Sequence, residues 1–293
     1  VIVGGSDQND GKTFLFRKDS NAPLWGYETG YVYDLDISAN GEYIIVCAKK
    51  SGDNTVYLFG NDNNTPLWTF EGETDDSDFK HVSMSSNGKY AVIVQNPRYI
   101  HLFSTESNES LWTFENDEYM QIDDLDISHD GDIIVVGSEY DAGGLLVFTK
   151  DSNVPLWKYN PVNVGFTAVS ISSDGNYVAA GGTDHWVYFF SRESNVSIWS
   201  HDIEIHIHSI SLSADGQYLV TGDMYGKIHL FNKNSGTPVW ISNGGDEVSS
   251  IHISADGQYI IVGSKNTYYN TVRFFERNSN NSIWTYDMET GNQ

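Results

Sequence analysis

The sequence has one cysteine, few basic residues and no long apolar stretch, and each shortage excludes a class of protein. The single cysteine, Cys47, cannot form an internal disulfide. It lies between Val46 and Ala48, so we expect it to be a small buried hydrophobic residue. No segment approaches the roughly twenty consecutive apolar residues of a membrane-spanning helix. The sequence therefore predicts no membrane insertion.

Basic residues are outnumbered: 16 Lys and Arg stand against 40 Asp and Glu, which gives a formal net charge of −24. A nucleic-acid-binding protein needs a basic face that neutralises phosphates. We therefore predict that this protein binds no nucleic acid and is repelled by anionic membranes. Strong acidity keeps a protein soluble, and it attracts cations or a basic partner.

Sequence motifs of catalysis are also missing. The chain carries no Gly-x-Ser-x-Gly elbow, no phosphate-binding Gly-Lys-Ser/Thr loop and no dinucleotide fingerprint. We therefore predict a protein without a cofactor that is not an enzyme. A catalytic site assembled from several repeats stays open, because function depends on sites rather than on the fold.

The chain is dominated by a repeat that ends in Trp, preceded by an aliphatic residue. Successive Trp residues are 43, 44, 45, 42, 41 and 44 positions apart. A second signal, Ser-x-Asp/Asn-Gly, occurs six times between them, for example at Ser213 to Gly216. The repeats end near Trp25, Trp68, Trp112, Trp157, Trp199, Trp240 and Trp284. Such a period indicates a repeat architecture.

One repeat, from Ser209 to Trp240, predicts four short strands. Ile210 and Leu212 alternate with serines, as expected of a strand. Asp215-Gly216 then favours a tight hairpin turn, and three further short strands follow. Four strands in about forty residues correspond to one propeller blade.

The repeats together predict an all-β fold, a seven-bladed β-propeller of four-stranded antiparallel blades that forms a single domain over residues 1–293. The chain opens at Val1-Ile2-Val3, which aligns with the second strand of a blade. The first blade is therefore expected to lack its innermost strand or to be closed in part by the C-terminal tail. The absence of an initiator Met suggests that the chain derives from a longer protein.

A family resemblance follows from the order of these signals. Ser-x-Asp-Gly-x-Tyr, then Val-Gly-Ser, then a strand such as Val56-Tyr57-Leu58-Phe59 resembles the WD-repeat family. The Trp-Asp dipeptide of that family is replaced, for example by Phe59-Gly60. The Ser-Asn-x-Pro-Leu-Trp ending, as at residues 20–25, is similar to repeats of quinoprotein-type propellers. The resemblance covers residues 1 to 286 and implies the propeller fold, while no residue maps onto a quinone site.

The predicted binding residues lie just ahead of the innermost strand of six repeats, where the blades would meet a central channel. They are Tyr33, Lys80, Asp123, Thr167, His208 and Ser249. Their chemical diversity predicts one asymmetric protein partner rather than equal ligand sites. Trp186 is a further candidate, because it occupies a turn in which no other repeat has Trp.

Pairs of carboxylates on the predicted innermost strands are the weak candidates for a cation site or for acid–base chemistry. They are Asp34, Asp36, Asp124 and Asp126. Other repeats hold His81 and Ser83, or Ser209 and Ser211, at the same positions, so structural hydrogen bonding is the preferred interpretation and no metal is predicted.

Two other patterns are metal-like but incomplete. His206 and His208 alternate with isoleucines, which would direct both imidazoles to one face, yet no third zinc ligand accompanies them. Residues 7–11, Asp-Gln-Asn-Asp-Gly, loosely resemble a calcium loop, and turn chemistry alone explains them.

The leading functional hypothesis is a non-catalytic protein-binding or scaffolding propeller, extracellular or on a cell surface. The first alternative is a lectin that binds glycans through exposed Trp rings, although packing explains a Trp at one position of every blade. The others are a quinoprotein-like or hydrolytic enzyme with an axial site and a structural repeat of a larger assembly. Four glycosylation sequons lie in the turns before the Trp strands, at Asn63, Asn108, Asn195 and Asn280.

Overall fold

The computed structural model describes residues 2–5, 11–72, 78–116, 120–138, 144–243, 245–265 and 269–289. In these ranges the chain forms seven antiparallel sheets, in which each strand pairs with the next one along the chain. Sheet 1 has three strands and sheets 2 to 7 have four. This is the predicted seven-bladed β-propeller with an incomplete first blade.

The strands of the first four sheets are short. Sheet 1 contains β1 (Ile2–Gly5), β2 (Lys12–Phe16) and β3 (Pro23–Tyr27). Sheet 2 contains β4 (Tyr31–Ile37), β5 (Tyr43–Lys50), β6 (Asp53–Gly60) and β7 (Pro66–Glu71). Sheet 3 contains β8 (Asp78–Met84), β9 (Tyr90–Asn96), β10 (Tyr99–Ser104) and β11 (Ser110–Glu115). Sheet 4 contains β12 (Ile122–Ile127), β13 (Ile133–Ser138), β14 (Leu145–Thr149) and β15 (Trp157–Tyr159).

The last three sheets repeat the same order. Sheet 5 contains β16 (Phe166–Ile171), β17 (Tyr177–Gly182), β18 (Trp186–Ser191) and β19 (Trp199–Asp202). Sheet 6 contains β20 (Ile207–Leu212), β21 (Tyr218–Asp223), β22 (Lys227–Asn232) and β23 (Ser235–Asn243). Sheet 7 contains β24 (Glu247–Ile253), β25 (Tyr259–Lys265), β26 (Tyr269–Glu276) and β27 (Ser282–Glu289). The last strand of sheet 6, β23, is nine residues long.

The chain divides into two compact units. Unit 1 comprises Val1–Ile134 and Phe148–Pro155, and unit 2 comprises Val135–Val147 and Leu156–Gln293. The single-domain interpretation stays a prediction. Across the described ranges, no helix is long and apolar enough to cross a membrane.

The Ser-x-Asp-Gly signal forms the turn after each innermost strand. In sheet 6, the Ser213 hydroxyl donates to Asp215 Oδ1 (2.7 Å) and accepts the Tyr218 N–H (3.0 Å). Gly216 has a φ of 64°, which favours glycine. A Cβ there would lie only 2.6 Å from the Tyr177 ring of sheet 5, so the glycine also permits close approach of the neighbouring sheet.

The repeated Trp joins neighbouring sheets within each unit. Its indole N–H donates to a backbone carbonyl of the next sheet, and its ring packs against a Phe there, as Trp112 does on Phe148 (5.6 Å between centroids). The donors and acceptors are Trp25 to Asn61, Trp68 to Thr105, Trp112 to Lys150, Trp157 to Arg192, Trp199 to Lys233 and Trp240 to Arg277. Six of the seven Trp residues therefore pack between sheets, as the packing interpretation expects. Trp284 is 45% exposed.

The turns before the Trp strands carry a second inter-sheet bond. The side-chain N–H of Asn108 donates to Thr69 O (3.3 Å), and Asn195 and Asn280 donate to the equivalent carbonyls of Lys158 and Ile241. Asn153, which is not in a sequon, makes the same bond. Packing therefore accounts for asparagine at these turns, while glycosylation stays a prediction.

Candidate functional site

The predicted binding residues lie inside the innermost strands rather than ahead of them. At five of the six positions the pairing of the innermost strand with the next strand shifts by one residue, and the extra residue is the predicted one. These five are Tyr33, Lys80, Thr167, His208 and Ser249. A β-bulge re-aims its side chain and is common beside functional sites. We call the end of each sheet at which its innermost strand begins the strand-start end.

In unit 1 the strand-start end carries a compact network of charged groups and tyrosines. The Lys80 ammonium lies 3.9 Å from the centre of the Tyr33 ring, which also contacts Tyr31 edge-on at 5.1 Å. Asp78 bonds both Lys80 and Lys49 at 3.0 Å.

Asp78 is the centre of that network. Burial opposes its ionisation, but the hydrogen bonds from Lys80, Lys49 and Asn54 outweigh this and lower its pKa to about 2. The two lysines of this network are therefore already paired with the Asp78 carboxylate. The predicted residue Asp123, also in unit 1, accepts a bond from the Gln121 amide at 3.1 Å.

In unit 2 the three predicted bulge residues differ in availability. Thr167 donates to Ile207 O (2.8 Å), which joins sheets 5 and 6, and Ser249 donates to Gly263 O (3.0 Å) within sheet 7. His208 is exposed and lies 3.1 Å from a Glu247 carboxylate oxygen. Of the three, the imidazole of His208 is the group most available to a partner.

The expectation that His206 and His208 point to one face is wrong. The bulge at His208 interrupts the alternation, so His206 instead contacts His185 (5.2 Å between ring centroids) while His208 pairs with Glu247. Among the described residues, no group of three or more His, Cys, Asp or Glu side chains is arranged to hold a metal ion. The calcium-like loop at residues 7–11 lies outside the described residues, apart from Gly11.

Near the His208 bulge in unit 2 lies a group of exposed or half-buried side chains, which we call the sheet 5/6 patch. It consists of His185, Trp186, His206, Met224 and Tyr225. Trp186 and Met224 are each 37% exposed and Tyr225 is 65% exposed. Two backbone hydrogen bonds join the segments that carry these residues: Ile203 N donates to His185 O (3.0 Å), and Met224 N donates to His206 O (3.3 Å).

Two residues, one in the sheet 5/6 patch and one in the adjoining connection, have an uncommon backbone conformation. His185 and Glu204 have φ values of 74° and 66°, in the left-handed region that non-glycine residues rarely adopt. Such conformations persist where the surrounding structure enforces them, and they cluster at functional sites. Asp223 supports the Met224–Tyr225 turn, since its Oδ1 accepts the N–H groups of Tyr225 and Lys227 at 2.9 Å.

Sequence reasoning identified Trp186 and His208 but missed Met224 and Tyr225. The available signal was the turn between the second and third strands, which is glycine-rich or polar in most repeats but carries large side chains at 183–186 and 224–225.

The carboxylates of Asp34 and Asp36 make structural hydrogen bonds, the interpretation preferred from the sequence. We call an innermost-strand side chain that accepts N–H groups of the following sheet a latch. Asp34 Oδ2 accepts the Val82 N–H (3.1 Å), and Asp36 Oδ2 accepts the Met84 N–H (2.8 Å), both from sheet 3. Burial raises the pKa of Asp34 to about 6 and also raises that of Asp36. Asp34 and Asp36 each also accept the N–H of the next residue in their own strand. In sheet 4, Asp124 and Asp126 make the same local bonds.

In unit 2, serine takes the place of aspartate as the latch residue. The hydroxyls of Ser170, Ser209 and Ser211 accept N–H groups from the following innermost strand at 3.1–3.2 Å. Because serine and aspartate both supply an acceptor, the position needs an oxygen rather than a charge.

This equivalence predicts the outcome of two substitutions. Asp36→Ala is expected to destabilise the protein by about 1 kcal/mol, near the low end for an unsatisfied donor because water reaches this half-buried site. Asp36→Ser is expected to recover most of that loss. Urea denaturation of both variants tests this, and equal losses for Ala and Ser would contradict the latch.

Two family comparisons agree with this architecture. Residues 183–293 match the family described as outer membrane protein assembly factor BamB. Residues 21–59 and 160–191 match the family described as WD domain, G-beta repeat. No curated protein shows significant similarity to the chain.

Together with the seven antiparallel sheets, these matches show a WD-repeat and quinoprotein-like β-propeller. Both repeat types support a protein-interaction or scaffold propeller.

Proposed function

We propose that this protein is a non-catalytic, protein-binding propeller that acts outside the cell or on a cell surface and engages its partner through the strand-start end of unit 2. The observation that carries the proposal is the sheet 5/6 patch. Aromatic residues and Met are enriched in the centres of protein interfaces, and Trp and Tyr are frequent binding hot spots.

The arrangement of the patch suits recognition of one asymmetric partner. Tyr99 stands in sheet 3 at the position of Trp186, but no other described turn between second and third strands combines it with side chains like those of Met224 and Tyr225. The repeated Trp, by contrast, recurs at the end of every sheet. A bulge at five of the innermost strands presents a different side chain on each, while the scaffold stays constant. The exposure of Asn63, Asn108, Asn195 and Asn280 supports the extracellular part of the proposal.

Removing the aromatic side chains of the patch is expected to abolish partner binding. The test compares immobilised wild type with Trp186→Ala/Tyr225→Ala in capture from an extract of the source organism. Loss of two hot-spot side chains, at about 2 kcal/mol each, weakens binding by far more than tenfold.

The matched control is Ile198→Ala/Val239→Ala. These side chains are 51% and 55% exposed in the same unit, but Ile198 directly precedes the outermost strand β19 and Val239 lies in the outermost strand β23. Proteins retained by wild type and by this control, but lost by the patch variant, support the proposal. Retention by all three forms would contradict it.

A further inference from the structure

We infer that Trp186 is the anchor for a basic side chain, arginine or lysine, of the protein partner, with Asp202 and Glu204 supplying the countercharge. The inference rests on the proposed function and specifies the chemistry of the partner at that surface.

Trp186 is flanked by carboxylates on the neighbouring strand. It is the first residue of β18 and pairs directly with Asp202 at the end of β19. Directly opposed side chains on paired strands have Cβ atoms about 5 Å apart. Glu204 follows within the same connection, and its N–H donates to Asp202 Oδ1 at 2.8 Å. An exposed indole therefore has one exposed carboxylate directly opposite it and a second exposed carboxylate two residues further along the same connection.

These two carboxylates are available to a ligand, unlike a third one nearby. Asp184 accepts the Trp186 N–H (3.2 Å) and the Tyr188 hydroxyl (2.6 Å), so both of its oxygens are engaged. Within the described part of the chain, neither Asp202 nor Glu204 forms an ion pair with Lys, Arg or His.

The surrounding charge also favours a cation. The chain as a whole carries a net charge of −24. A cation over the face of Trp gains about 0.5–1 kcal/mol at an exposed site, and flanking carboxylates add to this. An acidic peptide would meet repulsion from the same groups.

Fluorine NMR of protein labelled with 5-fluorotryptophan tests the inference directly. The Trp186 resonance is assigned with Trp186→Phe, and the other Trp signals report whether each variant is folded. The probe is the peptide acetyl-Gly-Arg-Arg-Gly-amide, titrated at pH 8, above the range in which imidazoles ordinarily protonate. The comparison peptide replaces each arginine with citrulline, which is neutral and has almost the same shape.

The arginine peptide is expected to shift the Trp186 resonance in a saturable way, while the citrulline peptide leaves it in place. Asp202→Asn/Glu204→Gln is expected to weaken the arginine peptide about fivefold, since two exposed charge pairs contribute about 1 kcal/mol together. Glu106→Gln/Glu109→Gln removes the same charge from the turn before β11 in unit 1 and is expected to change the affinity less than twofold.

Three results would overturn the inference: no shift with the arginine peptide, an equal shift with the citrulline peptide, or equal weakening by the two double variants. The capture experiment separates this failure from failure of the proposed function. If capture still depends on Trp186 and Tyr225, the surface binds a partner, but not through a basic side chain on Trp186.

Discussion

Trp199→Ala is expected to destabilise the protein by about 3 kcal/mol, the lower end for loss of a large aromatic side chain, because Trp199 is half-buried. Its ring is stacked between Phe189 (5.1 Å) and Phe231 (5.4 Å), which belong to sheets 5 and 6. Its indole N–H donates to Lys233 O at 2.8 Å. The substitution therefore removes packing on both sides of one sheet-to-sheet contact as well as a hydrogen bond.

Two further variants divide this effect into its parts. Trp199→Phe keeps an aromatic ring and loses the hydrogen bond, so a loss of about 1 kcal/mol is expected. Ile198→Ala alters the adjacent, exposed residue and should stay within about 0.5 kcal/mol of wild type. Urea denaturation gives all three values. A loss for Trp199→Ala as small as that for Ile198→Ala would show that the repeated Trp does not hold the sheets together.

Acidification from pH 7 to pH 5 is expected to remove about 2 kcal/mol of stability through His101 alone. Burial lowers the pKa of His101 to about 4, and its ring nitrogens bond Thr113 Oγ1 (2.9 Å) and Gln95 Oε1 (3.1 Å). The unfolded chain protonates this imidazole near pH 6.5, whereas the folded protein resists protonation until about pH 4. The contribution is therefore complete above pH 6.5 and is lost as the pH falls towards 4.

His101→Gln isolates this effect, because other groups titrate in the same range with mixed signs. Burial also lowers the pKa of His229 and His252, while it raises the pKa of Asp34. The variant should lose about 2 kcal/mol less than wild type between pH 7 and pH 5. In wild type, an NMR titration of the His101 ring should give a pKa near 4, and a value near 6.5 would contradict the burial argument.

Most of the fold was predictable because its determinants are local and recur along the chain. Ser213 to Gly216 specifies a turn by bonds within five residues, and the Trp spacing marks the end of each sheet. The incomplete first sheet also followed from alignment of Val1-Ile2-Val3 with a second strand. Cys47 is buried, as its apolar neighbours indicated.

The binding surface was less predictable because it depends on strand register and on contacts between repeats. The extra residue at His208 is an alternating strand position in the sequence, and only the pairing of Ile207 and Ser209 with β21 reveals the bulge. One backbone bond, from Ile203 N to His185 O, joins the turn that carries His185 to the connection that carries Glu204. Glu204 carries no motif, so sequence alone gave no reason to place it beside Trp186.

The latches and the Trp bonds all run in one direction along the chain. Within each unit, a sheet donates its indole N–H to the sheet that follows, and in sheets 2, 5 and 6 Asp or Ser oxygens accept N–H groups of the sheet that follows. Each contact is therefore head-to-tail, joining two different surfaces of the same repeat. Such an interface does not itself fix the number of repeats. Duplicating one repeat in the gene supplies a new sheet whose leading and trailing surfaces already fit its neighbours. Fixed recognition between repeats therefore leaves the turns at 183–186 and 224–225 free to diverge, which is how a uniform scaffold acquires one distinctive surface.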